Sequence, residues 1–455
     1  MHYLHKCSIT YHGVGHRYLE LISSNDIMVC NYEGIQKLQY LEELEYKMRE
    51  NELEKVLKEH GQEHIWEAYQ KLDEAGKEKL ASQIERVDWS MVAMAGHEEL
   101  AQERGKLEPL SALEVSEIEK NKDTYEAKGL EAIRAGKVGA VLLAGGQGTR
   151  LGSDGPKGKY NIGLTKDVFI FERLIRNLQD VTDKAGCFVP LYIMTSDKNN
   201  DETIAFFEEK NYFGYPKEYV KFFKQEMAPS TDYDGKLLME EKDSLSLSPN
   251  GNGGWFYSMV VTGVIEDVRA RGIEWINIFA VDNVLQRIAD PVFIGATLDS
   301  GRVSGAKVVR KADPNEKVGV LCLEDGRPSI VEYYEMTEEI INSREPNGDL
   351  SYNFGVILNY LFRVDKLEEI QDAKMPVHVV EKKIPYMDAE GNYHKPETPN
   401  GYKFELLVLD MIHLLDNCLS FEVVRNKEFA PIKNKTGVDS VESARALLQE
   451  NGVTL

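Results

Sequence analysis

The stretch AVLLAGGQGTRLGSDGPKGKY, residues 140–160, joins a short apolar run to a glycine-rich loop that carries two basic residues. The apolar run, Ala140–Leu143, is predicted to be a buried β-strand. The glycines after it allow tight turns and a close backbone approach that larger side chains would prevent. Arg150 and Lys157 follow within the loop. Because backbone N–H groups and two positive charges come together here, the loop is predicted to bind an anion such as a polyphosphate.

Two common phosphate-binding motifs do not account for this loop. The dinucleotide fingerprint needs G-x-G-x-x-G, whereas the glycines within residues 146–152 follow the spacing G-x-G-x-x-x-G. A P-loop needs a Ser or Thr where this chain has Tyr160, and an upstream Gly where it has Ser153. A purely structural glycine turn leaves the basic residues unexplained. The spacing therefore favours a different kind of phosphate-binding loop.

The sequence after residue 136 alternates between predicted strands and predicted helices. The strands are VGAVLLAGG (138–146), FVPLYIMTS (188–196), VKFFKQ (220–225) and WINIFAVDN (275–283). Such alternation predicts a mostly parallel, three-layer α/β sheet, in which ligands bind beyond the carboxyl ends of the strands. The glycine loop, the segment QEMAPS (225–230) and Asp282 all fall at such ends. A later stretch, residues 305–335, is predicted to form antiparallel strands.

The part of the chain before residue 136 is predicted to be helical. Residues 35–61 and 66–87 are rich in Glu, Lys and Leu, with apolar residues at helical spacing. The segment SALE, Ser111–Glu114, has the order of a capping box and predicts a helix start, and Gly136 is expected to end that helix. The acidic face of these helices is either solvated or a partner surface, and solvation is favoured.

Four regions follow from these patterns. They are a disordered tail at 1–30, a helical N-terminal region at 31–136, an α/β core at 137–375 and a C-terminal α+β region at 376–455. The tail contains His2, His5, His12 and His16. Metal binding is one interpretation of these histidines, but they lack ligand-pair spacing, which favours an unstructured segment.

The overall charge excludes several classes of partner. The 455 residues include 54 basic and 76 acidic side chains, a net charge of −22, whereas nucleic acids and anionic membranes are bound by basic surfaces. Any anionic substrate must therefore be held by local cations. Five scattered cysteines without C-x-x-C spacing indicate a reducing compartment, and no apolar run approaches the roughly 18 residues of a membrane span. We expect a cytoplasmic protein that binds neither nucleic acid nor membrane.

The motif LAGGQGTRLGSDGPKG, residues 143–158, resembles the signature of the eukaryotic-type UDP-sugar pyrophosphorylases, in particular those that act on N-acetylglucosamine. The resemblance runs from about Lys106 to the C-terminus through YIMTS, PNGNGG, AVDN, GAKVV, VEYYE, KKIPYMDAEG, KPETPNGYKFE and APIKN, in that order. It implies a nucleotide-diphospho-sugar transferase core with a Rossmann-like, glycosyltransferase-A-like mixed sheet, a helical N-terminal region and a small C-terminal β-rich domain. The implied reaction converts UTP and a sugar 1-phosphate into a UDP-sugar and pyrophosphate.

The same resemblance implies roles for individual residues. Contacts to the nucleotide are implied for Leu143, Ala144, Gly145, Gly146, Gln225, Gly251 and Lys403, with Gln225 and Gly251 on the uracil side. Catalytic contacts to phosphates are implied for Arg150, Lys157 and Lys433, the last on the phosphate of the sugar. Contacts to the sugar are implied for Asn252, Glu332 and Asn353, and a Mg²⁺ ion is implied at Asp282. That ion suits a carboxylate at a strand end, because Mg²⁺ binds through one or two carboxylates and substrate phosphates.

One motif departs from the family pattern. The acetylglucosamine enzymes have N-A-G-N where this chain has NFGV, so Asn353 is kept while Phe354 and Val356 replace Ala and the second Asn. The lost hydrogen-bonding group leaves the preferred sugar open, because such groups discriminate strongly between substrates. N-acetylglucosamine 1-phosphate is expected first, with glucose or galactose 1-phosphate as alternatives. A protein that binds sugar nucleotides without turnover is the alternative from a different class.

Overall fold

The computed structural model describes residues 46–96 and 104–455 in full, and only the backbone elements of residues 7–8, 19–22, 27–30 and 32–45. The three N-terminal strands within this second set pair antiparallel. Most of the predicted tail lies outside the described residues. So do His2, His5, His12 and His16, and with them the metal-binding interpretation of that segment.

Helices and strands are interspersed along the described chain. The helices are α1 Tyr32–Glu59, α2 Glu63–Tyr69, α3 Glu74–Ile84, α4 Trp89–Val92, α5 Val115–Arg134, α6 Ile170–Ala185, α7 Asn200–Glu209, α8 Trp255–Val261, α9 Ile265–Ala270, α10 Pro291–Asp299, α11 Glu338–Asn342, α12 Val364–Glu369, α13 Val408–Leu414, α14 Arg425–Glu428 and α15 Val441–Glu450. The strands are β1 Cys7–Ser8, β2 Leu19–Ile22, β3 Ile27–Cys30, β4 Leu107–Pro109, β5 Val138–Leu143, β6 Leu191–Thr195, β7 Val220–Lys224, β8 Met227–Pro229, β9 Thr231–Asp232, β10 Met239–Glu241, β11 Ser244–Leu245, β12 Leu247–Pro249, β13 Trp275–Ala280, β14 Ser304–Arg310, β15 Val320–Glu324, β16 Arg327–Val331, β17 Phe354–Arg363, β18 His378–Lys382, β19 Tyr386–Met387, β20 Tyr393–His394, β21 Gly401–Glu405 and β22 Leu419–Glu422. Within the described part of the chain, no helix is long and apolar enough to cross a membrane.

The chain divides into two compact units. The first combines the chain up to Ala93 with Pro229–Ser246 and Lys382–Gly401, and the second contains the remainder. In the first unit the buried amide of Gln62 accepts a hydrogen bond from the backbone N–H of Leu237 at 2.8 Å. This bond satisfies a polar group that would otherwise destabilise the interior, and it joins a helical segment to a segment distant in sequence.

The second unit is built around a ten-stranded mixed sheet. Strands β13, β5, β6 and β7 are parallel, and β17 pairs antiparallel with β13. On its other side β17 is antiparallel to β14, which pairs in parallel with β22. The hairpin β15–β16 and the short strand β4 extend the sheet beside β17. The prediction of a parallel core followed by antiparallel strands is confirmed.

The central strand β5 is buried on both faces. Ala140 and Leu142 belong to a core formed with α5, α6 and α10, whereas Val141 and Leu143 belong to a core formed with α8, α9 and α13. Because successive side chains of a strand point to opposite faces, the sheet lies between two helical layers. The predicted three-layer arrangement is therefore confirmed.

Helix α5 corrects one expectation about local structure. The helix begins at Val115, so the SALE segment lies before it and Ser111 does not cap it. The backbone N–H of Val115 instead donates to Glu422 Oε2 at 3.0 Å, a long-range contact that replaces the local capping box. The helix ends at Arg134 as expected, with Gly136 at φ +71°, a conformation that glycine adopts without strain.

Candidate active site

The glycine loop follows β5 and is held by residues at the end of β6. Ser196 Oγ donates to the carbonyl oxygen of Gly145 at 3.0 Å, and Asn199 Nδ2 donates to that of Ala144 at 3.0 Å. In a planar trans peptide the N–H points in the direction opposite to the carbonyl group. The N–H groups of Gly145 and Gly146, which belong to the same two peptides, therefore point away from Ser196 and Asn199. Within the part of the chain that is described, neither N–H donates to a protein acceptor. The loop therefore presents free donors to a ligand.

Sequence reasoning did not single out Ser196 and Asn199. The signal was available, because both residues closely follow the predicted strand that neighbours β5, and the carboxyl ends of parallel strands lie at one edge of the sheet. Their polar side chains were the feature that could have identified them.

Gln225 packs against the glycine loop. Gln225 is 5% exposed, and a Cβ atom at Gly145 would lie 2.1 Å from Gln225 Nε2, so any larger residue at Gly145 would displace this side chain. The backbone N–H of Gln225 donates to Thr195 O at 2.8 Å, which continues the pairing of β6 with β7. Two residues predicted to contact the nucleotide are thus neighbours across the edge of the sheet.

The PNGNGG motif, residues 249–254, packs on the segment that follows β21. A Cβ atom at Gly251 would lie 2.2 Å from the carbonyl oxygen of Leu406, and the φ of Gly251 is +93°, so the turn requires glycine. Asn252 Oδ1 accepts from the backbone N–H of Val408 at 2.9 Å. This hydrogen bond satisfies the first backbone N–H of α13 and leaves the Nδ2 group of Asn252 available to donate to a ligand. Lys403 lies in β21, half-buried.

Lys157 and Asp282 form the charged centre of the site. Lys157 Nζ lies 3.9 Å from Asp282 Oδ2, with the two side chains 16% and 25% exposed. Burial lowers the pKa of Lys157, Asp282 opposes this effect, and the charges of Arg150 and Lys433 lower the pKa further. Arg150 and Lys433, from two motifs far apart in the sequence, therefore both act on Lys157 in the folded chain, although Arg150 itself is exposed.

Asn283 joins Asp282 to the segment that carries Lys433. Its Nδ2 donates to Glu428 O at 2.8 Å, and its Oδ1 accepts from Ala430 N at 2.9 Å. The backbone N–H of Ile432 then donates to Asp282 O at 2.9 Å. These bonds hold the APIKN segment beside the end of β13 and explain how two motifs about 150 residues apart form one site.

Lys433 is paired with an acid in the ligand-free chain. Lys433 Nζ lies 3.1 Å from Asp439 Oδ2, and both side chains are about one-third exposed. The backbone N–H of Lys433 also donates to Asp439 O at 2.7 Å. A partly exposed ion pair of this kind is weak, so an incoming phosphate can compete with Asp439 for the ammonium group.

Glu332 and Val356 both lie beside Gly319, the residue that precedes β15. A Cβ atom at Gly319 would be 3.4 Å from Glu332 Oε1 and 3.5 Å from Val356 Cγ2, and Val356 N donates to Gly319 O at 2.8 Å. The pKa of Glu332 is raised by burial and by the neighbouring Glu335, and Lys433 opposes this rise. Val356 therefore adjoins the carboxylate predicted to bind the sugar.

Phe354, one of the two residues at which NFGV departs from the family pattern, packs in the interior. Because Val320 pairs with Gly355, Phe354 lies on the row of Leu321, within the core on one face of the sheet. The ring is 8% exposed, and the guanidinium of Arg310 lies 5.2 Å from its centre. The phenylalanine side chain is therefore accommodated by packing within the core.

Asn353 is held by the backbone at the start of β17. The N–H of Lys311 donates to both the main-chain oxygen and the Oδ1 of Asn353, at 2.9 Å and 3.2 Å. Within the described residues, no hydrogen bond joins Asn353 to Glu332 or Asn252. Its predicted contact with the sugar stays a prediction.

Comparison with known proteins gives a consistent set of relatives. A family model described as UTP–glucose-1-phosphate uridylyltransferase matches residues 78–455. The UDP-N-acetylhexosamine pyrophosphorylase-like protein 1 of Xenopus tropicalis is 40% identical over 341 residues, which are 72% of this chain and 67% of that protein. The UDP-N-acetylglucosamine pyrophosphorylase of Saccharomyces cerevisiae is 42% identical over 341 residues, 72% of this chain and 71% of that protein.

A solved structure gives the same result for the fold. The crystal structure of the uridine diphosphate N-acetylglucosamine pyrophosphorylase from Trypanosoma brucei in complex with inhibitor superposes with a TM-score of 0.76 at 27% identity, covering 88% of this chain and 84% of that one. The predicted nucleotidyltransferase-like α/β core is thereby confirmed. The chain belongs to the UTP–glucose-1-phosphate uridylyltransferase family and is a nucleotidyltransferase of the UDP-sugar pyrophosphorylase type.

Proposed function

We propose that the protein transfers the uridylyl group of UTP to N-acetylglucosamine 1-phosphate, which yields UDP-N-acetylglucosamine and pyrophosphate. The observation that carries this proposal is the placement of Lys157 and Asp282, 3.9 Å apart and in charge contact with Arg150 and Lys433, at the sheet edge that holds the glycine loop. Relatives that are 40–42% identical to this chain over 341 aligned residues are named for N-acetylhexosamine or N-acetylglucosamine, which supports the sugar.

The reaction needs alignment and charge neutralisation more than proton transfer. The phosphate of the sugar is already anionic, so its attack on the α-phosphorus of UTP requires no general base. The free N–H groups of Gly145 and Gly146 would bind the triphosphate, and Arg150 and Lys157 would neutralise the charge that develops on the leaving pyrophosphate. Lys433 would exchange Asp439 for the phosphate of the sugar and bring the nucleophile in line.

We also propose a Mg²⁺ requirement. Asp282 offers one half-buried carboxylate at the end of β13, and the described residues contain no group of three or more His, Cys, Asp and Glu side chains able to hold a metal. One carboxylate completed by substrate phosphates is a ligand set typical of Mg²⁺. A bound Mg²⁺ would neutralise phosphate charge, and Lys157 would share that task.

The sugar preference is the finer part of the proposal. Val356 presents an apolar surface beside Glu332. This apolar surface can contact the acetyl methyl group, but Val356 offers no side-chain hydrogen bond to the sugar. An apolar wall discriminates by only about 10- to 200-fold per methylene-sized difference. We therefore also propose measurable activity with glucose or galactose 1-phosphate, below that with N-acetylglucosamine 1-phosphate.

The decisive experiment measures pyrophosphate release from UTP with Mg²⁺ and each of the three sugar 1-phosphates. We expect the highest kcat/KM with N-acetylglucosamine 1-phosphate. Release that is higher with glucose 1-phosphate would change the substrate but keep the reaction. No release with any sugar, accompanied by binding of UDP-N-acetylglucosamine, would favour a non-catalytic binding protein.

The proposed cellular location rests on the free thiols of the cysteines. Cys187, Cys322 and Cys418 are free thiols, two of them buried, and burial raises the pKa of Cys322 and Cys418 to about 12. Free thiols persist in reducing compartments, so we propose that the protein acts in the cytoplasm.

A further inference from the structure

Arg104 links two acidic residues at the edge of the sheet. Its Nη2 lies 2.9 Å and 2.8 Å from the two carboxylate oxygens of Glu335, and its Nη1 lies 3.0 Å from Glu324 Oε2. The Arg104 side chain is 29% exposed, and those of Glu324 and Glu335 are 11% and 23% exposed. The geometry is a bidentate, partly buried ion pair, which fixes orientation more strongly than an exposed pair.

Glu335 in turn fixes the backbone of Glu332. The N–H of Glu332 donates to Glu335 Oε2 at 2.8 Å, and the N–H of Glu335 donates to Glu332 O at 2.9 Å. These reciprocal bonds close the turn after β16. The turn therefore depends on the position of the Glu335 carboxylate, and that carboxylate is held by Arg104.

We propose that Arg104 is a positioning residue of the sugar site, which acts through Glu335 to hold the Glu332 carboxylate in its orientation toward the sugar. The inference rests on the proposed function, because that function makes Glu332 a ligand of the sugar. It adds a residue from outside the predicted core, since Arg104 precedes β4 and lies in the region predicted to be only a helical N-terminal part.

The electrostatics around Glu332 make this role distinguishable from simple packing. Glu335 and Asp410 raise the pKa of Glu332 in addition to burial, whereas His378 and Lys433 lower it. Arg104 neutralises Glu335. Loss of Arg104 therefore leaves a stronger negative field at Glu332 and raises the pKa of Glu332 further, whereas loss of the Glu335 charge lowers that pKa.

The test compares the affinity for UDP-N-acetylglucosamine with that for UDP by titration calorimetry, so that only the contribution of the sugar is measured. We expect Arg104→Gln to raise the Kd for UDP-N-acetylglucosamine about tenfold, the effect of one hydrogen bond to a charged group, while the Kd for UDP stays unchanged. Arg104→Lys keeps the charge and is expected to recover part of the affinity.

Arg269→Gln is the matched control. Arg269 also bridges two acids, Glu266 at 2.6 Å and Glu368 at 2.7 Å, but it has no bond to the turn after β16. We expect its Kd for both ligands to equal that of the unmodified protein. A loss of affinity in this variant equal to that in Arg104→Gln would mean that ion-pair loss alone explains the effect, and would overturn the inference.

The pH dependence of the Kd ratio supplies a second readout. The ionised Glu332 carboxylate accepts hydrogen bonds from the sugar through both oxygens and more strongly than the protonated acid, so sugar affinity weakens as the pH falls through its raised pKa. We expect this loss to occur at higher pH in Arg104→Gln and at lower pH in Glu335→Gln. Unchanged profiles, or shifts in the same direction, would contradict the inference. Failure of the proposed catalysis would instead appear as absent pyrophosphate release by the unmodified protein.

Discussion

At the scale of single residues, Lys157 is subject to two opposing effects. Burial favours its neutral form, and Asp282 favours its charged form, while Arg150 and Lys433 add repulsion. A lysine in this position loses less hydration when it binds phosphate, because it has already left bulk water. We therefore expect the ammonium of Lys157 to bind a polyanion at a small cost in desolvation.

We expect Lys157→Ala to lower kcat/KM by at least about 100-fold, the cost of removing one electrostatic contact from the transition state. The free energy of unfolding should change by less than about 1 kcal/mol, because the lysine makes one long ion pair. Pyrophosphate release and thermal unfolding measure the two effects. Lys166→Ala is the control, since Lys166 is exposed in the same part of the chain. Equal losses of activity and stability would assign Lys157 a structural role.

The lowered pKa of Lys157 also predicts an alkaline limit to activity. A group whose pKa is depressed gives up its proton at a lower pH than an ordinary lysine, so kcat/KM for UTP should fall as the pH rises through that value. In Lys157→Arg the guanidinium stays charged, and we expect this fall to disappear. Measurement of kcat/KM across the neutral to alkaline range checks the effect. An identical alkaline limb in both proteins would mean that another group causes it.

A further prediction at the scale of single residues concerns Val356, which we propose to contact the sugar. We expect Val356→Asn to change the ratio of kcat/KM between N-acetylglucosamine and glucose 1-phosphates by about tenfold or more, because the amide restores a hydrogen-bonding group beside Glu332. Phe354→Ala should destabilise the core without changing that ratio, since the ring packs in the interior. If Val356→Asn leaves all ratios unchanged, Val356 does not contact the sugar.

At the scale of secondary structure elements, a buried ion cluster joins three parts of the chain. Lys307 in β14 is fully buried, and its Nζ lies 2.9 Å from Asp290 Oδ2 and 2.5 Å from Glu428 Oε2. Asp290 precedes α10, and Glu428 ends α14, the helix that leads to the Lys433 segment. The cluster therefore anchors the elements on either side of the site.

We expect Lys307→Met to lower the free energy of unfolding by about 3–5 kcal/mol, because it removes the buried cation that contacts both Asp290 and Glu428 and leaves Asp290 only its longer pair with Arg287 at 3.4 Å. Urea denaturation monitored by circular dichroism measures the change. Lys137→Met is the control, since the pair between Lys137 and Glu274 is about half exposed. Equal and small losses in both variants would mean that Asp290 and Glu428 bind a proton or another partner when the lysine is absent.

Elements were predictable from the sequence where a local pattern sets them. Strand β5 and helix α6 follow from an apolar run and from helical periodicity, and α6 ends at Ala185, directly before Gly186 with φ +73°. The start of α5 was not predictable, because its first N–H is satisfied by Glu422, about 300 residues away in sequence. The same reason applies to Arg104, whose acidic partners lie more than 200 residues further along the chain. Single-sequence patterns contain no record of such contacts.

At the scale of the whole molecule, the net charge of −22 repels the anionic substrates of the proposed reaction. The positive field is therefore concentrated at the sheet edge, where the motifs with Arg150, Lys157 and Lys433 converge. The sequence predicted these residues individually, since each motif is local. Their convergence required the sheet topology, because β13 and β5 are adjacent strands separated by more than 130 residues of chain.

The same distribution of charge predicts how the molecule would bind the proposed Mg²⁺. With one carboxylate at Asp282 and a lysine beside it, the ligand-free site has little affinity for Mg²⁺, and UTP phosphates must supply the remaining oxygens. We expect Mg²⁺ alone and a chelator alone to leave the Tm unchanged. UTP with Mg²⁺ should raise the Tm more than UTP with chelator, by the linkage of binding to stability.

Asp282→Asn tests whether that residue is the metal ligand, because an amide is a weaker ligand for a hard cation. We expect the variant to keep its Tm without ligands, to lose the extra stabilisation that Mg²⁺ gives in the presence of UTP, and to lose most of its pyrophosphate release. Differential scanning fluorimetry at fixed UTP and varied Mg²⁺ measures the first two effects. A Tm that rises with Mg²⁺ in the absence of UTP would contradict a substrate-completed site. Equal Mg²⁺ responses in both proteins would place the ion elsewhere in the chain.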